Sequence, residues 1–321
     1  MSAADRPRAS ARVPAAAARP PALELAAAFS SIYLVWGSTF LAIRYAVETI
    51  PPFAMMAVRC LLGGGILLAV ALVRERAIVW PTRREWAGAL LIGAFLFVGC
   101  HGVLAYAEER VPSGIAALCL ATIPLFVPLL AWALPGGSPP SRRRTAALVA
   151  GFAGVAMLVA SQGTGGGLHP ADALLLLGSA LSWAAGTVAT RVVPVPRSPT
   201  MGAAMPLLAG GCILTVIALA SGELSSGRLD HVSGRSLGGL AYLVVLGTVV
   251  TFSAYVWLLR QVAPTRVATY AFVNPAVAVV LGWALAGESL TLGAVVASAV
   301  IVVAVAVAVS EREPAPVSAP S

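Results

Sequence analysis

The chain contains no lysine, and all 21 of its basic residues are arginine. Charge of either sign is scarce: 13 residues are acidic and 11% are charged in all, against roughly a quarter in an ordinary soluble domain. A soluble domain of any size needs a charged surface, so a soluble enzyme is excluded, and so is a charged disordered chain. Cysteine is sparse too. Cys60, Cys100, Cys119 and Cys212 fall singly inside apolar runs, with no CxxC or Cys/His spacing, which excludes a disulfide scaffold and a zinc module. HExxH and phosphate-loop motifs are missing, so no metal, cofactor or catalytic residue is expected. No Asp or Glu stands at the middle of an apolar run, where proton relays usually place one.

What remains is apolar. The hydrophobic share is 59% of 321 residues, close to the roughly 200 that ten membrane-crossing helices of about 20 residues would require. Ten apolar segments are read at 25–45, 53–73, 86–107, 113–134, 145–161, 172–191, 202–221, 236–259, 266–286 and 291–309. Apolarity runs around every face instead of alternating, which selects helices over an outer-membrane barrel. The expectation is an all-α integral membrane protein with ten transmembrane helices.

The arginines set an orientation. With the N-terminus in the cytoplasm, sixteen of them fall in cytoplasmic segments, and three (Arg110, Arg228 and Arg235) fall on the other side. Arg44 and Arg59 lie inside apolar runs. Basic residues concentrate on the cytoplasmic side, so both termini are expected there. A net charge of +8 therefore reflects topology, not nucleic-acid binding. Residues 1–24, rich in Ala, Pro and Arg with no hydrophobic region at the start, read as a disordered cytoplasmic tail, and 310–321 as a second tail.

Shifted by about 150 residues, the chain overlays itself. VPSGIAALCLATIPLFVPLLAWAL (111–134) aligns with VAPTRVATYAFVNPAVAVVLGWAL (262–285), sharing Pro124/Pro275 and a closing Trp-Ala-Leu. LVWGSTFLAIR (34–44) aligns with LSWAAGTVATR (181–191), sharing Trp36/Trp183 and Arg44/Arg191. Two halves, 25–161 and 172–309, would each hold five helices. An odd number inverts the second half, giving two inverted five-helix repeats, the plan of secondary transporters that bind solute between them.

These residues resemble the drug/metabolite transporter superfamily and its ten-helix EamA type. The likeness is carried by WGSTFLAIRYAVETIPPFAMMAVRCLLGG (36–64), YAEERVPSGIAAL (106–118), YAFVNPAVAVVLG (270–282) and the GESLTLG turn (287–293). The wording is nearest to the YedA-like subgroup of bacterial inner-membrane exporters. The resemblance implies a multi-pass plasma-membrane protein that exports a small metabolite, amino acid or drug-like compound by alternating access. An importer or exchanger of the same fold is the alternative, and a lipid-modifying membrane enzyme is the rival from another class. Partners are then a small-molecule substrate and the lipid bilayer, with no nucleic acid; a homodimer is compatible with the pattern.

Candidates for the substrate path follow from polar groups at depth. Trp36 and Trp183 sit at matched positions, each wanting a partner for its indole N–H. Ser38, Thr39 and Thr187 stand beside them and are equally able to bond their own helix carbonyls. Pro124 and Pro275 are read as mid-helix kinks freeing the carbonyls of Leu120 and Ala271, with Tyr270 and Asn274 adding polarity nearby. His101 is an ionisable group inside an apolar run. Arg44 and Arg59 are expected to snorkel or to pair with Glu48, or to meet a substrate anion. Glu108, at the end of a segment, is expected to stay hydrated and to act as a gate, a cap or a substrate contact.

Overall fold

The computed structural model describes residues 21–74, 79–135, 137–161, 168–225, 227–262, 264–267 and 269–310. The expected tails fall mainly outside these, and where they overlap the helices run on: residues 22–24 and Ser310 are helical. Among the described residues every regular element is a helix, and nine helices are long and apolar enough to cross a membrane. They are α1 (Ala22–Ala46), α2 (Pro52–Arg74), α3 (Arg83–Glu108), α4 (Ser113–Trp132), α5 (Arg142–Ser161), α6 (Pro170–Ala189), α7 (Pro199–Ala220), α8 (Gly234–Tyr255) and α10 (Leu292–Ser310). Between the last two lies the shorter apolar α9 (Tyr270–Ala286).

Local chemistry fixes the starts. Thr82 and Glu85 form a reciprocal capping box at the head of α3, so the helix begins three residues before the apolar run does. Ser198 and Ser233 accept the third backbone N–H of α7 and α8. Gly287, at φ 67°, ends α9 in the left-handed conformation that glycine adopts without a Cβ penalty. The 145–161 run gains length because its helix starts at Arg142.

The reading of the paired prolines needs correction. α4 is interrupted by a turn at Ala121–Thr122 and restarts at Ile123, so Pro124 lies in the first turn of the restarted piece, where a missing N–H costs little. Pro275, its sequence mate, sits inside a continuous helix. The paired prolines therefore have different local roles. Three segments, Ser31–Val35, Ala94–Gly102 and Leu243–Val250, are wound as π-helix within α1, α3 and α8. The wider turn opens carbonyls to side chains. Thr248 and Thr251 hydroxyls donate to the carbonyls five residues back, at 2.9 and 2.8 Å.

The helices pack in a regular set of pairs: α1 on α8 and α9, α6 on α3 and α4, α2 on α7 and α8, α3 on α7, α4 on α9, and α5 on α10. Small residues let backbones approach, as expected where lipid gives helices no hydrophobic drive to associate. A Cβ on Gly93 of α3 would stand 2.5 Å from the Pro206 carbonyl and 2.9 Å from the Gly210 nitrogen of α7. One buried cluster runs through the bundle from Ala42 and Ile43 to Ile301 and Val305.

Candidate functional site

The candidate residues do not converge on one spot; they fall into three groups. In the first, α1 meets α8 and α9. The Trp36 indole donates to the Gly247 carbonyl at 3.0 Å, in the π-wound part of α8. Its ring packs against Tyr255 (centroids 5.3 Å) and edge-on against Tyr270 (5.1 Å). Ser38 bonds the Val35 carbonyl at 2.8 Å and the Tyr242 hydroxyl at 2.6 Å. Thr39 donates back to the Trp36 carbonyl at 2.6 Å. Asn274, next to Pro275, is buried; in the amide orientation that satisfies both of its ends, its nitrogen lies 3.1 Å from the Ile32 and Tyr33 carbonyls. Those carbonyls belong to the π-wound turn of α1, so Asn274 ties α9 to α1.

The second group joins α6 to α3. Trp183 stands edge-on to His101, with centroids 4.9 Å apart, and His101 stacks on Phe97 at 5.8 Å. The His101 Nδ1 is buried and has no hydrogen-bond partner. Thr187 bonds back to the Trp183 carbonyl at 2.9 Å. The Ser182 hydroxyl donates to the Phe95 carbonyl at 2.8 Å, so the π-wound part of α3 also accepts a bond from a helix of the other half.

The third group corrects the reading of the charges. Arg44 does not snorkel or pair with Glu48: its Nη1 donates to the backbone carbonyl of Glu108, and Glu48 pairs with Arg235 at 3.4 Å. Arg59 is 7% exposed. Its Nε donates to Thr248 at 3.2 Å, while its Nη1 has no partner. Glu108 is not hydrated at a boundary. It is 0% exposed, and neither carboxylate oxygen has a hydrogen-bond partner. It lies in the electrostatic reach of Arg44, Arg59 and Glu288. A buried guanidinium nitrogen and a buried carboxylate, each without a hydrogen-bond partner and within electrostatic reach of one another, form a charge-demanding spot.

Next to this spot, the two halves are tied together where α1, α3 and α7 finish and α2, α4, α6 and α8 begin. The Glu288 carboxylate takes the Ser113 N–H at 2.7 Å, the Ser113 hydroxyl at 2.8 Å and the Gly114 N–H at 3.0 Å. Glu223 takes the Ala54 N–H at 2.8 Å. Arg110 pairs with Asp172 at 2.9 Å, a bond that raises the already high pKa of that guanidinium. Thr49 donates to Ser236 at 2.8 Å, and Tyr45 to the Leu285 carbonyl at 3.0 Å. Sequence reasoning missed Tyr242, Gly247, Thr248 and Tyr255. It also missed Glu288 as the anchor of α4; the GESLTLG turn marks the residue but not its distant partner.

No group of three or more His, Cys, Asp or Glu side chains among the described residues could hold a metal. The four cysteines are free, with three of them buried.

Comparison with known proteins places this arrangement. The profile of the EamA-like transporter family matches residues 25–160 and again 171–310. An inner membrane transporter of Escherichia coli strain K12, YedA, whose role is uncharacterized, is 37% identical over 289 residues, covering 87% of this chain and 90% of its own. The uncharacterized transporter YvbV of Bacillus subtilis is 26% identical over 287 residues, covering 88% of this chain and 90% of its own. Protein PecM of Dickeya dadantii is 27% identical over 259 residues, covering 80% and 82%. One solved crystal structure shares the fold with a TM-score of 0.60 at 20% identity, covering 89% of this chain and 96% of the other. Matched on both sides of its midpoint by one profile, the chain belongs to the EamA-like transporter family.

Proposed function

We propose that the chain is a secondary transporter of the bacterial inner membrane that exports a small metabolite, amino acid or drug-like compound by alternating access. In this reading ten helices cross the bilayer, with α9 as the short tenth, and both termini lie in the cytoplasm. The two five-helix halves are inverted copies. The family profile's double match supports the division. The packing supports a two-fold relation between the halves, which an odd number of helices in each turns into an inversion: the pairs α1–α8 and α3–α6, α1–α9 and α4–α6, and α2–α8 and α3–α7 exchange when five is added to or taken from each helix number, while α2–α7, α4–α9 and α5–α10 return to themselves.

One observation carries the mechanism. The bonds made by Glu288, Glu223, Arg110, Glu48 and Thr49 all join one half to the other at a single end of the bundle. By the arginine distribution that end faces away from the cytoplasm. A solute path in alternating access opens to one side while the other is closed, and these bonds are the closure on the outer side. Trp36, Ser38, Thr39, Arg44, Arg59, His101, Glu108, Pro124, Trp183, Thr187, Tyr270, Asn274 and Pro275 remain the residues along the path. Arg59, with a free Nη1, is the one suited to an anionic group of the solute.

The test is a flux assay in inside-out membrane vesicles, screening amino acids and cationic dyes with and without a pH gradient. Export predicts accumulation of at least one solute above vesicles that lack the protein. Uptake into intact energised cells instead would make it an importer, and no movement in either direction would remove the transport reading.

A further inference from the structure

Glu108 ends α3, where a hydrated carboxylate is expected, yet it has no exposed surface. Charged groups on several elements lie in its electrostatic reach: Arg44 from α1, Arg59 from α2 and Glu288 from the α9–α10 connection, with Glu109 adjacent in the chain. None of the first three pairs with its carboxylate. Arg44 Nη1 is engaged by the Glu108 backbone carbonyl and Arg59 Nε by Thr248. Glu288 is held by the first turn of α4. An ionised carboxylate in a dry layer without partners is among the costliest arrangements a protein interior can hold. A proton removes that charge and, unlike any solute, needs no room.

We propose that Glu108 is a proton-binding site of this chain, loaded while the two halves are tied together and emptied when that end opens. The Glu288 bonds join α4 to the second half just beyond the end of α3, so parting that end is the event that admits water to Glu108. The unpartnered Arg59 Nη1 then offers the ionised form a partner. The balance is a single proton: one O–H bond breaks, the carboxylate stays on α3, and the proton leaves to the opened side. The proton released as that end opens is carried by Glu108 and not by His101. Loading stands on geometry alone, whereas emptying rests on the alternating-access reading.

Infrared spectroscopy of the purified full chain in lipid nanodiscs, near neutral pH, reads loading without any solute. The wild type should show a protonated-carboxyl stretch that shifts in D2O. Glu108→Gln should remove one carboxyl equivalent of it, and His101→Gln should leave it in place. Labelling glutamate with ¹³C at the side-chain carboxyl should shift the same band in the wild type, which keeps the reading independent of how the variant folds. A band of equal intensity in Glu108→Gln, or one that the glutamate label does not move, overturns the proposal. Failure of the flux assay would leave this measurement untouched, so the two readings fail separately.

Discussion

Glu288 shows what one side chain can do at a helix end. The first backbone N–H groups of any helix lack partners within it, and in α4 two of these meet the Glu288 carboxylate at 2.7 and 3.0 Å. The negative charge also faces the positive end of the helix. Glu288→Gln keeps the shape but removes the charge and one acceptor. The expected cost is about 1–3 kcal/mol, read as a lowered thermal-unfolding midpoint in detergent; an unchanged midpoint would mean that the contact contributes nothing. The residue was visible in the sequence, but its partner was not. Ser113 lies 175 positions away, and no local pattern announces a contact formed only when the halves meet. The same holds for Glu108. Its position at the end of an apolar run predicts hydration, and its burial follows from α6, α2, α1 and α4 packing on the last turns of α3.

At the scale of the element, the helices were legible because each is an apolar run bounded by arginine, proline or a cap. Their irregularities were less so. The turn at Ala121–Thr122 precedes Pro124, and the proline marked it approximately. Nothing in AFLFVGCHG or LVVLGTVV distinguishes a π-wound segment from an ordinary one, because the choice is made by bonds from neighbouring helices, such as Trp36 to Gly247 and Ser182 to Phe95. Glycine placement makes the packing testable. Gly93→Ala sets a Cβ against backbone atoms of α7 at 2.5 and 2.9 Å, so α3 and α7 must separate, at a cost of about 1–3 kcal/mol. Gly178→Ala in α6 meets nothing within 4 Å and should gain up to about 1 kcal/mol from helix propensity. Thermal unfolding of the two variants should move in opposite directions. Equal shifts would deny that the α3–α7 approach is tight.

Across the whole molecule, the proposed mechanism reduces to how two halves move against each other. Composition and the internal repeat made the class of protein legible, because lipid demands long apolar helices and a repeat leaves matched residues. The site was legible only as a set of candidates, since three separate groups, each built across the two halves, replace the single constellation that a linear reading invites. If the halves rock, the end tied by Arg110 and Asp172, 2.9 Å apart, must separate in every cycle. The most direct measurement places cysteines at those two positions in a chain freed of its four native cysteines, bridges them with a short bismaleimide, and follows flux of a solute identified in the vesicle screen. The account predicts that bridging stops transport while single-cysteine variants treated with the same reagent continue. Undiminished flux through the bridged protein would contradict it.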